Sequence, residues 1–211
     1  MSEATMATIT VYSDYVCPFC YLGRESLSRY QADRDEPLRI DWRPFDLRAG
    51  KRTADGEIDH SADDGKDDAY FEQAKESVRR LQQEYDVEMT LALATEVDSL
   101  DAQVASAYVS KEQPYETWLA FDEAIFAALW QDGRDIGGED VLVDLATRVG
   151  IDGSEITAAL DDEAHRETVT DAFTAAQQAG ITGVPTFVAD GHAARGAVPP
   201  AQLRRLVEGA E

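Results

Sequence analysis

Positive charge is scarce in this chain of 211 residues, because 19 Lys and Arg stand against 42 Asp and Glu and the formal net charge is −23. Such a surface would repel a phosphate backbone rather than neutralise it, which excludes nucleic acid as a partner. The same repulsion argues against an anionic membrane surface, and no run approaches the roughly 18 apolar residues that a transmembrane helix needs. The composition therefore predicts a protein with no nucleic-acid and no membrane partner.

Asparagine is absent, lysine is rare, and the acidic residues are spread along the whole length. This pattern is typical of proteins that work in concentrated salt, where the Debye length falls to about 3 Å at 1 M and screens self-repulsion. An acidic protein from an ordinary cell is the alternative. The N-terminus has no basic region followed by an apolar stretch, as a signal peptide would have. We therefore expect a halophilic, soluble and cytoplasmic protein, either a monomer or a homodimer.

Cysteine occurs only twice, as Cys17 and Cys20. A disulfide that spans two residues is a poor staple, and structural disulfides are rare in a reducing cytoplasm. A zinc site would need two more ligands, whereas His60, His165 and His192 are isolated from one another in the sequence. Because a Cys-x-x-Cys beside a β-α-β pattern is typical of redox motifs, the spacing favours a redox pair. No GxGxxG, Walker loop or Ser-His-Asp arrangement occurs, and we predict no metal and no cofactor.

The chain opens with a strand, a helix and a second strand. β-branched residues and alternation predict the first strand over Ala7–Ser13. A helix is predicted over 17–33, with Pro18 in its tolerated first turn, and a strand over 38–45, with Pro44 indicating an edge or a terminus. A polar loop of the functional or mobile kind follows over 46–68. Its acidic residues do not match a calcium-binding loop, because Ser61 and Asp64 stand at two key positions.

The remainder of the chain is mostly helical in pattern. Apolar spacing predicts helices through 69–149, including an aromatic face read as core, and another helix over 162–178 that ends at Gly180. A strand follows Pro185, Asp190-Gly191 predicts a hairpin turn, and 194–198 is the predicted return strand before a final amphipathic helix. We expect an α/β protein with a thioredoxin fold interrupted by an all-helical insertion: residues 1–65 and 161–211 form the fold, and 66–160 the insertion.

Five short motifs carry a resemblance to a known family. They are Asp-Tyr-Val-Cys-Pro-Phe-Cys-Tyr-Leu-Gly at 14–23, Trp-Arg-Pro-Phe-Asp-Leu at 42–47, Asp-Gly-Arg-Asp-Ile at 132–136, Gly-Val-Pro-Thr-Phe at 183–187 and Gly-Ala-Val-Pro at 196–199. With them the chain resembles the DsbA-like thioredoxin family, most closely its FrnE branch, which is similar in fold to 2-hydroxychromene-2-carboxylate isomerases. The motifs span essentially the whole chain, and the first and fourth are specific together.

The physics of a helix N-terminus assigns different roles to the two cysteines. Cys17 at the N-cap faces unpaired N–H groups and the positive end of the helix dipole, which favour a thiolate nucleophile. Cys20 lies one turn further on, where it can attack the mixed disulfide and release the substrate. Pro18 and Phe19 between them are expected to contact substrate, and Phe19 adds no cationic help to the Cys17 thiolate.

The resemblance implies roles for two further positions. Pro185 resembles the family's cis-proline beside the redox pair, and the backbone of Val184 is then expected to bind an extended substrate. The alternative for Pro185 is an ordinary proline at the start of a strand. Thioredoxins commonly bury a carboxylate six residues before the first cysteine, but Val11 stands there. Asp14 is the nearest acid and a candidate for moving the proton of Cys20, with an ordinary loop acid as the alternative.

These features predict a thiol-disulfide oxidoreductase of the oxidase or isomerase type, acting on cysteine-containing proteins or small thiols. The first alternative is a glutathione-dependent isomerase or transferase of the 2-hydroxychromene-2-carboxylate isomerase or kappa type. The resemblance implies that such relatives carry serine where Cys17 stands, so the presence of both cysteines argues against this alternative. A non-enzymatic module that binds a partner or a metal is the second alternative.

Overall fold

A four-stranded mixed sheet forms the centre of the computed structural model, which describes residues 7–53, 55–62, 65, 67–90 and 96–209. The strands lie in the order β2-β1-β3-β4. β1 pairs in parallel with β2, β3 is antiparallel to β1, and β4 is antiparallel to β3. The strand bounds are β1 Ala7–Ser13, β2 Leu38–Pro44, β3 Thr186–Ala189 and β4 His192–Arg195.

Eight α-helices surround the sheet in the described residues, and a short 3₁₀ turn lies at Ala49–Lys51. The helix α1 connects β1 to β2 as the crossover that a parallel pair requires. Helices α2 to α7 lie between β2 and β3 in the chain, and α8 follows β4. Their bounds are α1 Pro18–Ala32, α2 Asp68–Glu84, α3 Leu100–Glu112, α4 Tyr115–Trp130, α5 Glu139–Arg148, α6 Gly153–Asp161, α7 Glu163–Gln178 and α8 Pro200–Glu208.

The alternation in β1 determines which of its side chains are buried. Ile9 and Val11 are 0% and 5% exposed, because successive side chains of a strand point to opposite faces of the sheet. Pro44 ends the edge strand β2, as its missing N–H predicted. The inner strand β1 leads directly into the loop before Cys17.

The return strand of the C-terminal hairpin begins two residues and ends three residues before its prediction. The return strand occupies His192–Arg195 rather than 194–198. Asp190 and Gly191 have φ of 47° and 78°, the conformation of a two-residue turn whose twist matches its strands. Such a turn leaves no spare residue, so His192 pairs at once with Ala189.

The region between α2 and α3 is a second correction. The block 69–149 was predicted to be almost all helical, with helical spacing over 71–85 and again from 100; α2 ends at Glu84, and the described residues 86–90 and 96–99 between the two helices are not helical. Asp86 has a φ of 47°, a left-handed conformation that a helix interior does not accept. Residues 91–95 lie outside the described part of the chain.

Sheet and helices share one main hydrophobic core. Its buried side chains include Ile9 and Phe187 from the sheet and Trp118, Phe121 and Ile125 from α4. A smaller cluster joins α3 to α7 through Leu100, Val104, Val169 and Phe173. The division of the chain into 1–65, 66–160 and 161–211 stays a prediction. In the part of the chain that the structure describes, no helix combines the length and hydropathy needed to cross a bilayer.

Candidate functional site

Cys17 is the N-cap residue of α1, as predicted, and Pro18 occupies the first turn. The N–H of Cys17 donates to the carbonyl of Asp14 at 3.1 Å, and the carbonyl of Cys17 accepts from Cys20 N at 3.0 Å. Proline fits this position because its missing N–H would have no helical partner there. The loop and the first turn thus fix the backbone on both sides of Cys17.

Cys20 lies one turn into α1 with its side chain buried. The pKa of its thiol is raised well above the ordinary value, first because burial disfavours the charged form and then because of a hydrogen bond and charge interaction with Cys17. The backbone of Asp14 and the side chain of Ser13 act in the opposite direction. Both cysteines are free thiols, and burial makes Cys20 hold its proton more tightly than an exposed cysteine would.

Pro185 lies beside the redox pair, at the start of β3. The Val184–Pro185 peptide bond is cis, which confirms the expectation from the resemblance. Cys17 Sγ lies 3.6 Å from the carbonyl oxygen of Val184. A Cβ at Gly23 would come within 3.1 Å of both Pro185 Cγ and Phe187 Cζ, so this glycine lets α1 approach the strand closely.

Asp14 is completely buried, which the loop-acid alternative did not anticipate. Its carboxylate accepts hydrogen bonds from Ser99 Oγ at 2.5 Å, Leu47 N at 2.8 Å, Val16 N at 3.2 Å and Gln103 Nε2 at 3.4 Å. Desolvation is the largest influence and raises its pKa to about 6, although the donors act against it. The carboxylate therefore joins the loop before Cys17 to the start of α3.

A second buried network holds the same loop to α4. The Tyr15 hydroxyl donates to Asp122 Oδ1 at 3.0 Å and lies 2.8 Å from Ser106 Oγ. Asp122 Oδ2 accepts from Arg24 Nε at 3.0 Å, with side-chain exposures of 2% and 8%. Trp130 Nε1 donates to the carbonyl of Tyr15 at 2.8 Å. One carboxylate on α4 thus contacts both the residue two before Cys17 and the helix that carries Cys20.

A cleft of about 470 Å³ opens beside Cys17. Phe19 lines it, and so do Tyr70 and Phe71 from the start of α2. Tyr70 is half exposed, and it is the one exposed large hydrophobic side chain of the described residues. The cleft also takes in Cys17, Pro18 and the backbone from Thr182 to Val184, so the residues predicted to bind substrate share one surface.

Another part of the cleft lining escaped the sequence analysis. Residues 45–51 line it, and they include the cationic side chains of Arg48 and Lys51. The sequence predicted the end of a strand at residue 45 and a polar loop from 46, and it marked 42–47 as a family motif without assigning it to the cleft, because the contacts that order this segment come from distant residues. Two features of the sequence could have pointed to this lining: basic residues are scarce in the chain, and two aromatic residues stand together at 70–71.

The three histidines make their contacts away from the two cysteines. His60 is half exposed and lies 3.2 Å from Glu96, and His165 packs edge-on against Tyr108. His192 is exposed at the start of β4. Within the described ranges, no three His, Cys, Asp or Glu side chains come together in a way that could hold a metal ion.

The chain is similar to proteins of known and unknown function. It is 30% identical over 181 residues to the uncharacterized protein YwbO of Bacillus subtilis, covering 85% of each chain. Among solved structures, a probable DsbA oxidoreductase from Streptomyces coelicolor matches with a TM-score of 0.76 and 23% identity, over 97% of this chain and 91% of that one. A 2-hydroxychromene-2-carboxylate isomerase matches with a TM-score of 0.74 and 21% identity, over 90% and 89%. Identities this low show a shared fold.

Residues 8–208 match the DSBA-like thioredoxin domain. The match includes the loop before Cys17, both cysteines, the helices between β2 and β3, and the strand that follows Pro185. The fold is therefore the thioredoxin-like α/β fold with inserted helices that the motifs predicted, and the chain belongs to the DsbA-like thioredoxin family.

Proposed function

We propose that the protein is a thiol-disulfide oxidoreductase of the oxidase or isomerase type that uses Cys17 and Cys20 as its redox pair. The observation that carries the proposal is the arrangement of the pair. Both side chains are buried, but Cys17 stands at the N-terminus of α1 against the Val184 carbonyl and lines the cleft, whereas Cys20 is absent from the lining and lies in hydrogen-bond contact with Cys17. A helix N-terminus favours an anionic nucleophile, and burial keeps the second thiol protonated.

The proposed reaction has two sulfur exchanges. The Cys17 thiolate attacks one sulfur of a substrate disulfide, forming a mixed disulfide and expelling the other sulfur as a thiolate that takes up a proton. Cys20 then loses its proton and attacks Cys17 Sγ. The second substrate thiolate leaves and takes a proton, and the Cys17–Cys20 disulfide forms. The pair loses two electrons and the substrate gains them; the reverse sequence oxidises a substrate dithiol.

Substrate binding is assigned to Pro18, Phe19 and Val184. All three line the cleft beside Cys17, and the Val184 carbonyl already accepts from the Cys17 thiol. An extended chain of a cysteine-containing protein can lie along this backbone. Pro185 has no N–H. In the proposed site it therefore lies beside the two cysteines at the start of β3 without adding a hydrogen-bond donor.

Asp14 is the proposed acceptor for the proton of Cys20. Its pKa of about 6 gives it an ionised carboxylate at neutral pH that can still take up a proton. Its backbone contacts Cys20, and its burial keeps it in the same dry environment. Proton transfer through Asp14 predicts that Asp14→Asn slows release of the mixed disulfide more than its formation.

The finer placement of the protein is also proposed. The motifs at 14–23 and 183–187 support membership of the FrnE branch, and the net charge of −23 with scarce lysine supports a halophilic source. A cytoplasmic protein, as a monomer or a homodimer, is the proposed working state. It has cysteine-containing proteins or small thiols as partners.

A glutathione-dependent isomerase or transferase of the 2-hydroxychromene-2-carboxylate isomerase or kappa type is the second candidate. The structural match to such an isomerase favours it in fold alone. The cleft of about 470 Å³ beside Cys17 lies within the usual range for small-molecule sites. An isomerase of this kind has no need of a resolving thiol. If Cys20→Ser retained glutathione-dependent isomerase or transferase activity, that result would favour the second candidate.

The test of the leading proposal compares the two cysteine variants. Cys17→Ser should lose disulfide exchange completely, since no other thiol stands in the cleft. Cys20→Ser should still react and should accumulate mixed disulfides, because the resolving thiol is missing. Mass spectrometry after incubation with oxidised insulin measures both. Faster alkylation of Cys20 than of Cys17 in the reduced wild-type protein would show that the two roles are wrongly assigned.

A further inference from the structure

One side of the cleft beside Cys17 is built from a single stretch of chain, residues 45–51, here called the cleft wall. The 3₁₀ turn Ala49–Lys51 is its one regular element, and β2 ends at Pro44 just before it. Backbone hydrogen bonds hold part of the wall, such as the one from Phe45 N to the carbonyl of Ser13 at 3.0 Å, and side-chain contacts add to them. The contacts that hold the wall therefore determine the shape of the cleft.

Arg52, which follows the wall, makes charged contacts with Asp46 in the wall and with Asp98 before α3. Its Nε donates to Asp46 Oδ2 at 2.6 Å, which ties it back to the start of the wall. Its Nη1 and Nη2 donate to the two carboxylate oxygens of Asp98 at 2.9 and 2.8 Å. Nη1 also donates to the carbonyl of Gly56 at 2.8 Å. One guanidinium thus joins both ends of the wall to the residues that precede α3.

The contacts of Arg52 with its two carboxylate partners have the geometry of strong ion pairs. The Arg52 side chain is 13% exposed and the Asp46 side chain 3% exposed. A planar guanidinium that meets a carboxylate through two parallel hydrogen bonds gains directional specificity that an ammonium group cannot reproduce. Burial is the largest influence on the pKa of Asp98 and raises it, but the hydrogen bonds from Arg52 and Leu100 N and the charges of Arg52 and Arg48 together lower the pKa below its usual value.

The wall has further fixed points, among them Arg48 Nε on the carbonyl of Val97 at 3.0 Å, and one of them lies next to the cysteines. Leu47 N donates to Asp14 Oδ2 at 2.8 Å, and Asp14 begins the loop that ends at Cys17. Arg52 itself is absent from the lining of the cleft, which it reaches only through residues 45–51. Whatever Arg52 contributes to substrate recognition is therefore transmitted by the wall.

We propose that Arg52 is a positioning residue for substrate specificity, holding the cleft wall where a polypeptide disulfide contacts it beyond the reacting sulfur. This inference rests on the proposed thiol-disulfide oxidoreductase function. Arg52 takes no part in breaking or forming sulfur bonds. A polypeptide that extends across the cleft uses the wall, whereas a small disulfide that contacts little beyond Cys17 does not. Loss of Arg52 therefore changes which substrates bind and leaves the reactivity of Cys17 in place.

The experiment compares Arg52→Gln with the wild-type protein on two substrates in buffer of high KCl concentration. Reduction of insulin, with dithiothreitol present to return the protein to its dithiol form, reports on a polypeptide disulfide. Dipyridyl disulfide, mixed once with reduced protein, reports on the intrinsic rate of the thiols. We expect the KM for insulin to rise about tenfold with little change in kcat, as for loss of uniform binding. The rate with dipyridyl disulfide should stay within about twofold of the wild-type rate.

Arg134→Gln is the matched control. Arg134 Nη1 also pairs with a carboxylate, Asp144 Oδ2 at 2.7 Å, but neither residue lines the cleft. This variant should leave both assays unchanged. An equal effect of Arg52→Gln on the two substrates, or none on either, would overturn the proposal. Failure of the wild-type protein with both substrates would instead refute the proposed function.

A second variant covers the case in which Arg52→Gln does not fold. Asp98→Asn leaves the contact between Arg52 and Asp46 in place and removes the charge from the other contact. If circular dichroism shows that Arg52→Gln is unfolded, Asp98→Asn should give the same selective rise in KM for insulin. An unchanged KM in a folded Asp98→Asn protein would refute the positioning role.

Discussion

Replacing the buried Asp14 by Asn should flatten part of the dependence of stability on pH. Desolvation raises the pKa of this carboxylate from 3.8 to about 6 in the folded protein, although hydrogen bonds from Ser99, Leu47 and Val16 lower it. The unfolded chain exposes the group, so its pKa there returns to the lower value. Between these two pKa values the folded state binds more protons than the unfolded state. Stability that is fully present below about pH 4 is therefore lost as the pH rises through about 6.

The size of this effect follows from the difference in pKa. A pKa unit corresponds to about 1.4 kcal/mol, so a rise from 3.8 to about 6 makes ionised Asp14 cost about 3 kcal/mol of unfolding free energy at neutral pH. Burial is complete, so solvent does not reduce the effect. Against a typical total of about 5–15 kcal/mol, this is a measurable fraction.

Urea unfolding at constant high KCl concentration, at several pH values from about 4 to 8, gives the free energies. The difference between wild type and Asp14→Asn isolates this one group from the other carboxylates. The unfolding free energy of the wild type should fall relative to that of Asp14→Asn by about 3 kcal/mol as the pH rises. Hydrogen bonds lost by the amide add only a constant offset.

Asp152→Asn is a control of opposite sign. Asp152 is exposed and caps α6, and hydrogen bonds from Ser154 lower its pKa. The wild type should therefore gain stability relative to this variant as the pH rises through the acidic range. A difference between wild type and Asp14→Asn that does not depend on pH, or that favours the wild type at higher pH, would refute the reasoning about Asp14.

Two further predictions concern charge in other settings. Asp122→Ala should cost about 3–5 kcal/mol in urea unfolding, because it removes the buried partner of the Arg24 guanidinium and leaves it only the exposed Glu123. Glu123→Ala, which removes the partner that is 56% exposed, should cost less than about 1 kcal/mol, and equal costs would contradict the role of burial. Lowering KCl from about 3 M to about 0.1 M lengthens the Debye length from below about 3 Å to about 10 Å. The melting temperature should then fall by many degrees, since the net charge is −23; a constant melting temperature would argue against a halophilic protein.

Local patterns were enough to predict most of the sheet and the cysteine helix. Alternation predicted β1 with its bounds, Ala7–Ser13, and the proline after Cys17 predicted the start of α1. Both signals depend on neighbouring residues alone. The start of the return strand was wrong by two residues because the register depended on the turn at Asp190-Gly191, which the sequence marked but did not measure.

The surroundings of the cysteines could not be predicted in the same way. Asp14 reads as a loop acid because its partners Ser99 and Gln103 lie 85 and 89 residues further along the chain. The wall likewise reads as a polar loop, since Arg52 finds Asp98 across 46 residues. Burial of a polar group is a property of the assembled fold, and no local period encodes it.

The same separations have a consequence for synthesis on the ribosome. Tyr15 meets Asp122 across 107 residues, and Cys17 meets Val184 across 167. At about 5–20 residues per second, the two thiols wait roughly 10 to 30 s after they emerge before the strand that covers them is made. During that interval they are open to oxidants and to the thiols of other nascent chains. The finished protein buries both cysteines, but a growing chain depends on its surroundings to keep them reduced.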